Sequence, residues 1–127
     1  MIIGMGIDTV SIYRINKALA RWGVRFKNRI FTKSEIVYCD KKMDPAPHYA
    51  SRFAAKEAFY KALGSLQRSG IRWKEIEVDR KRGRAPSIRI HGIMEKSLVK
   101  NGRKRIFLSM SHDEIIASAT VIIEENK

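Results

Sequence analysis

The chain has 127 residues, 44% hydrophobic and 31% charged, with 26 lysines and arginines against 13 acids and a formal net charge of +13. That length predicts a single domain over residues 1–127, the composition excludes a disordered chain, and the positive field restricts partners to anionic ones without choosing among them. One cysteine, Cys39, excludes an internal disulfide and a cysteine zinc cluster; with no apolar run long enough to span a bilayer and no basic signal-peptide start, this predicts a cytoplasmic protein with no membrane partner.

Residues 1–7 are short and apolar, with Gly4 and Gly6 marking close backbone approach, and read as a buried strand ending at Asp8. Ile12, Ile15, Leu19 and Trp22 then form one stripe of an amphipathic helix that starts at Asp8 and Thr9 and stops at Gly23. Asp8 is therefore an N-cap candidate as well as a metal-ligand candidate. The other side of this helix carries Arg14, Lys17 and Arg21, a ridge that reaches Arg25 if the helix runs on past Gly23. A face of one sign suits docking onto an acidic surface.

Thr32 and Glu35 fit a capping box opening a short helix through Cys39. Pro45 and Pro47 suit the first turn of the next helix, which runs to Leu63 with Gly64 as its stop. Within it, RFAAKEAFYKALG (52–64) puts Glu57 on a helix apolar nearly all round: Ala50, Phe53, Ala54, Tyr60 and Lys61 share its face, and Ala55, Phe59, Ala62 and Leu63 cover the opposite one. A buried carboxylate needs a cation or a proton. An i, i+4 pair with Lys61 is worth only about 0.3–0.5 kcal/mol, too little to justify burying Glu57.

After Gly70 the period becomes strand-like. Trp73, Ile76 and Val78 pair with residues 87–91 across the basic turn DRKRGRAP (79–86); residues 93–100 form a short helix ended by Asn101 and Gly102; residues 105–111 and 115–124 form a second hairpin turning at His112 and Asp113. The order of elements gives an α+β fold, a largely antiparallel sheet around a long central helix. Neither a P-loop nor a G-x-G-x-x-G fingerprint is present.

Two acids, Asp8 and Glu57, with a lysine one turn beyond the second, match the needs of Mg²⁺, which binds through one or two carboxylates plus substrate phosphates. Lys61 would neutralise a phosphoryl oxygen beside the metal, as phosphoryl transfer requires. A small RNA- or DNA-binding module also fits the charge. It leaves an acid on the central apolar helix unexplained, as does a structural oligomerisation domain, so no nucleic-acid partner is expected.

The segments GIDTVSIYRI (6–15), FTKSEIVYC (31–39), RFAAKEAFYKALG (52–64), GRAP (83–86) and SMSHDEIIASATV (109–121) resemble, almost end to end, the small bacterial 4′-phosphopantetheinyl transferases of the holo-[acyl-carrier-protein] synthase type. The resemblance implies Mg²⁺ held by Asp8 and Glu57, coenzyme A as donor, and Lys61 on its pyrophosphate. It also implies Gly83 and Pro86 as coenzyme A contacts, with Ser109 and His112 near the nucleotide end. A homotrimer with active sites between subunits, and a serine of an acyl carrier protein as acceptor, complete what it implies; the one-signed ridge of Arg14, Arg21 and Arg25 is where that acidic carrier is expected to dock. The basic turn 79–85 would then seat the 3′-phosphate. Trp73 and Ile116 depart from the pattern, standing where Phe and an aromatic residue are common. The expected reaction is attack of a carrier serine on the β-phosphate, releasing adenosine 3′,5′-bisphosphate. Either Glu57 or a metal-bound water serves as base.

Overall fold

The computed structural model describes residues 1–64, 70–99 and 102–126. In chain order the elements are β1 (Ile2–Ser11), α1 (Ile12–Trp22), α2 (Val24–Ile30), α3 (Lys33–Asp40), α4 (Ala46–Leu63), β2 (Ile76–Asp79), β3 (Ser87–Ile90), α5 (Gly92–Val99), β4 (Arg103–His112) and β5 (Ile116–Asn126). The strands form an antiparallel three-stranded sheet in the order β1-β5-β4 and a separate β2-β3 hairpin. Lys100 and Asn101, part of the stop expected for α5, lie outside the described residues.

Two expectations near the N-terminus are corrected. Strand β1 continues past Asp8 to Ser11, and Ser11, not Asp8, caps α1 by accepting a hydrogen bond from the Arg14 amide at 3.3 Å. Asp8, Thr9 and Ser11 are all competent caps, and β5, pairing Asp8 with Ala119 and Ser11 with Ile116, draws the first two into the ladder. Gly23, at φ 53°, ends α1 with its amide on the Leu19 carbonyl, and a new helix starts at once. Arg25 therefore sits on α2, and the ridge is divided between two helices. Arg21 and Arg25 still flank one side chain, their guanidiniums 4.9 and 6.0 Å from the Trp22 ring.

The capping box is present, the Thr32 hydroxyl accepting from the Glu35 amide and Glu35 from the Thr32 amide. Pro45 and Pro47 open α4, and Gly64 at φ 52° ends it. Trp73 lies in a 3₁₀ turn ahead of β2, not in the strand, and stacks on Phe53 with ring centroids 5.0 Å apart. Cys39 is fully buried, and burial pushes its thiol up to about 12.

Helix α4 lies on the inner face of the three-stranded sheet. A Cβ on Gly4 would collide with the Ala62 carbonyl, and one on Gly6 with the Ala58 carbonyl, so glycine is what lets the helix backbone rest on the strand. Ala58 and Ala62, with Ala117 and Ala119 of β5, keep the rest of the contact thin. Side chains alternate along a strand, so Asp8 points to the same face as Gly4 and Gly6, toward α4. The outer face carries Met5 and Ile7, both 64% exposed, and Phe107.

Candidate active site

The close seating of α4 on β1 decides where the acids meet. With Ala62 over Gly4 and Ala58 over Gly6, the next step along the strand brings Asp8 under the turn that carries Glu57. Lys61 Nζ donates to Asp8 Oδ1 at 2.9 Å and to the Ile7 carbonyl at 3.2 Å. Lys61, one turn beyond Glu57, thus bonds to the strand, while its charge also acts on Glu57. The Asp8 side chain is 10% exposed and that of Lys61 54%, so the ammonium lies at the mouth of the site.

Asp8 Oδ2 is buried and has no hydrogen-bond donor among the described residues, while the Glu57 carboxyl lies within hydrogen-bonding reach of Asp8. Two acceptors facing each other need a proton or a cation between them. Burial first, and then the neighbouring Asp8 carboxylate, raise the Glu57 carboxyl to about 7, against the opposing pull of Lys61 and Arg14. Among the described residues no third His, Cys, Asp or Glu joins the pair. A two-carboxylate set with one orphaned oxygen suits a hard divalent cation that takes its other ligands from water and phosphate, and is too small for an all-protein cage.

The remaining expected contacts are dispersed. Ser109 points to the outer face of the sheet, as its exposed neighbours Phe107 and Ser111 do, so within one chain the sheet separates it from Asp8. His112 ends β4 on the inner side, its ring 5.5 Å from that of His48 on α4. His48 is nine residues before Glu57, a helix rise of about 13 Å. Asp113, not His112, makes the turn, its Oδ1 accepting from the Ile115 and Ile116 amides at 2.7 and 2.8 Å. Gly83, at φ 78°, sits in the β2–β3 turn and Pro86 is half-buried just before β3. Beside them an open cavity of about 380 Å³ is lined by Asp79, Lys81, Arg84, Ala85, Ser87 and Arg89. Three cations against one acid make it an anion-attracting hollow. Arg14 and Arg21 are exposed on α1, and Arg25 on α2.

Comparison with known proteins places the arrangement. Residues 4–119 match the model of the 4′-phosphopantetheinyl transferase superfamily. The chain belongs to that superfamily. It is 43% identical over 125 residues to a holo-[acyl-carrier-protein] synthase of Koribacter versatilis, covering 98% of this chain and all of the relative. The crystal structure of the holo-[acyl-carrier-protein] synthase from Neisseria meningitidis superposes with a TM-score of 0.88 at 34% identity, over 98% of this chain and all of the other. A coenzyme A complex of the synthase from Chronobacterium ammoniagenes superposes with a TM-score of 0.85 at 27% identity, over 98% of each chain.

Residue patterns alone missed two buried cationic side chains in this transferase. Lys56, next to Glu57, is fully buried and ion-paired with Glu35 at 2.7 Å. Arg52 is also buried, stacked 4.1 Å from the Tyr38 ring, with one guanidinium nitrogen on the His48 carbonyl and its Nε without a hydrogen-bond partner among the described residues. The available signal was a charge inside an alanine-rich helix, at Lys56 as much as at Glu57.

Proposed function

We propose that the protein transfers the 4′-phosphopantetheine group from coenzyme A to a serine of an apo acyl carrier protein, as a holo-[acyl-carrier-protein] synthase, and that Asp8 and Glu57 hold Mg²⁺ for this reaction. The observation that carries the site assignment is the buried Asp8 Oδ2, without a hydrogen-bond partner among the described residues, on a carboxylate near enough to raise the Glu57 carboxyl. Mg²⁺, when bound, supplies charge neutralisation for the pyrophosphate. This chain's own residues supply the rest. Lys61, its ammonium at the mouth of the site, would offset the charge that develops on the transferring group. Glu57 is this chain's own candidate to accept the proton of the carrier serine. A bond forms from the serine oxygen to the β-phosphorus as the bond to the leaving oxygen breaks, giving holo carrier protein and adenosine 3′,5′-bisphosphate.

The coenzyme A contacts Gly83, Pro86, Ser109 and His112 belong to the same reading. Its homotrimeric assembly is supported by the outer sheet face. That face exposes Met5, Ile7 and Phe107, an apolar surface that further copies of the chain would cover. The basic hollow at Lys81, Arg84 and Arg89 suits the 3′-phosphate. The reading describes one transferase domain over residues 1–127, working in the cytoplasm, where a lone buried thiol stays reduced. Among the described residues no helix is long and apolar enough to cross a membrane.

The test is mass spectrometry of an apo acyl carrier protein incubated with this protein, coenzyme A and Mg²⁺. The carrier gains one phosphopantetheinyl group on its serine, adenosine 3′,5′-bisphosphate appears in equal amount, and both stop with EDTA and resume with added Mg²⁺. A carrier of unchanged mass at high enzyme concentration would refute the transfer, and transfer indifferent to EDTA would refute the metal.

A further inference from the structure

Lys56 is the most completely enclosed charge in the described structure that this mechanism does not use. All three of its ammonium hydrogens have acceptors: the Ile30 carbonyl that ends α2 at 2.9 Å, Glu35 Oε1 on α3 at 2.7 Å and the Trp73 carbonyl before β2 at 2.9 Å. Glu35 is equally enclosed and equally used. Its Oε1 also takes the Thr32 amide at 2.8 Å, and its Oε2 the Val78 amide of β2 at 2.8 Å. One ion pair therefore fixes α4 to four separate points of the layer that covers it.

Such a pair is a poor stabiliser, because apolar side chains of similar volume often hold a core as well or better. What it gives that apolar packing does not is direction. A lysine whose three hydrogens are all fixed sets the rotation of its helix about the axis. Lys56 and Ala58 stand about 200° apart around α4, so one side of the helix is pinned by the ammonium and the other by contact with Gly6. Glu57 lies between them. A 20° rotation of α4 would move a carboxylate some 6 Å from the axis by about 2 Å, enough to lose a shared ligand position that tolerates about 0.5 Å.

We infer that Lys56 and Glu35 are positioning residues, which hold the rotation of α4 so that the Glu57 carboxyl faces Asp8. The inference rests on the transferase reading above and adds to it a part that touches neither substrate nor metal. A single Lys56→Met change strands a buried carboxylate and invites misfolding, so the informative variant is the double Glu35→Leu/Lys56→Met, which removes both charges together. The expected result is a cooperatively melting protein with a wild-type circular dichroism spectrum and coenzyme A KM within twofold, but with kcat at least tenfold lower. Mn²⁺ bound in the absence of carrier, read by electron paramagnetic resonance, should be weakened in step. An unchanged kcat and Mn²⁺ affinity in the folded double variant would overturn the inference. So would failure of that variant to fold, since the pair would then be holding the domain together and not aiming one helix. Asp8→Asn, run alongside, separates this outcome from failure of the transferase reading, which would leave the activity and Mn²⁺ binding of Asp8→Asn at wild-type levels too.

Discussion

Asp8 raises the Glu57 carboxyl, and Lys61 answers only one oxygen of Asp8, so the charge of each acid matters to what the pair can hold. Replacing either acid by its amide keeps the shape and removes the charge. Asp8→Asn and Glu57→Gln should each lower transfer by about a hundredfold or more with unchanged thermal unfolding, and near-normal turnover at saturating Mg²⁺ would contradict the metal assignment. Lys61→Ala should act differently, because its charge matters most where charge develops in the transition state. The expected fall is about 10- to 100-fold in kcat with a small change in coenzyme A KM, and a defect confined to KM would reduce Lys61 to ground-state binding. The spacing of Glu57 and Lys61 was legible in the sequence because one helical turn is a local period, whereas Asp8, read as the end of a strand and a possible cap, is set on the α4 face only by the continuation of β1 to Ser11. Lys56 was not legible. Its burial depends on carbonyls at positions 30 and 73 and a carboxylate at 35, which only tertiary packing brings together.

At the scale of elements, β1 and α4 behave as one unit because neither Gly4 nor Gly6 has room for a side chain. Gly6→Ala should drive a methyl into the Ala58 carbonyl and destabilise the fold by about 3 kcal/mol in urea unfolding, with loss of transfer following the displaced helix. A fully stable Gly6→Ala protein would mean that α4 can retreat from the strand at little cost. The joint between α3 and β2 carries a pH dependence of its own. Burial works to raise the Glu77 carboxyl, but hydrogen bonds from Ser34, Thr32 and His91, and the charge of His91, overcome it and hold the group at about 2 against its ordinary 4.5. A carboxyl lowered by folding stabilises above its unfolded value and loses that contribution as it is protonated, so this part of the stability should disappear between about pH 4.5 and pH 2. Glu77→Gln should flatten the acid limb of a plot of melting temperature against pH over that interval, and an unchanged limb would assign acid lability elsewhere. The caps, hairpins and proline-led helix were readable from short motifs. The end of β1 was not, because three cap-competent positions within four residues, Asp8, Thr9 and Ser11, were resolved only by how far β5 runs beside them.

The whole molecule has one face of the sheet covered by α4 and the other bare, with a surplus of 13 positive charges over the whole. Those two surfaces ask for different partners. Met5, Ile7 and Phe107 suit a second copy of the same apolar face, whereas the exposed Arg14, Lys17 and Arg21 of α1, continued by Arg25 on α2, suit an acidic protein. Helix α1 begins four residues after Asp8, so a carrier seated on this ridge has its serine near the acids. Because Trp22 lies between Arg21 and Arg25, their two guanidiniums are gathered on one ring although Gly23 breaks the helix between them. Charge reversal at Arg14→Glu/Arg21→Glu should therefore raise the carrier KM by about tenfold or more while leaving coenzyme A affinity alone. Because exposed charges act mainly through association rate and are screened over about 10 Å at 0.1 M salt, the wild-type carrier KM should climb with ionic strength and that of the variant should respond far less. Steady-state titration of carrier protein at several salt concentrations, with coenzyme A binding measured separately, reads both effects. If reversal left the carrier KM and its salt dependence unchanged, the ridge would be a solvated face, and the basic β2–β3 turn would become the surface to test.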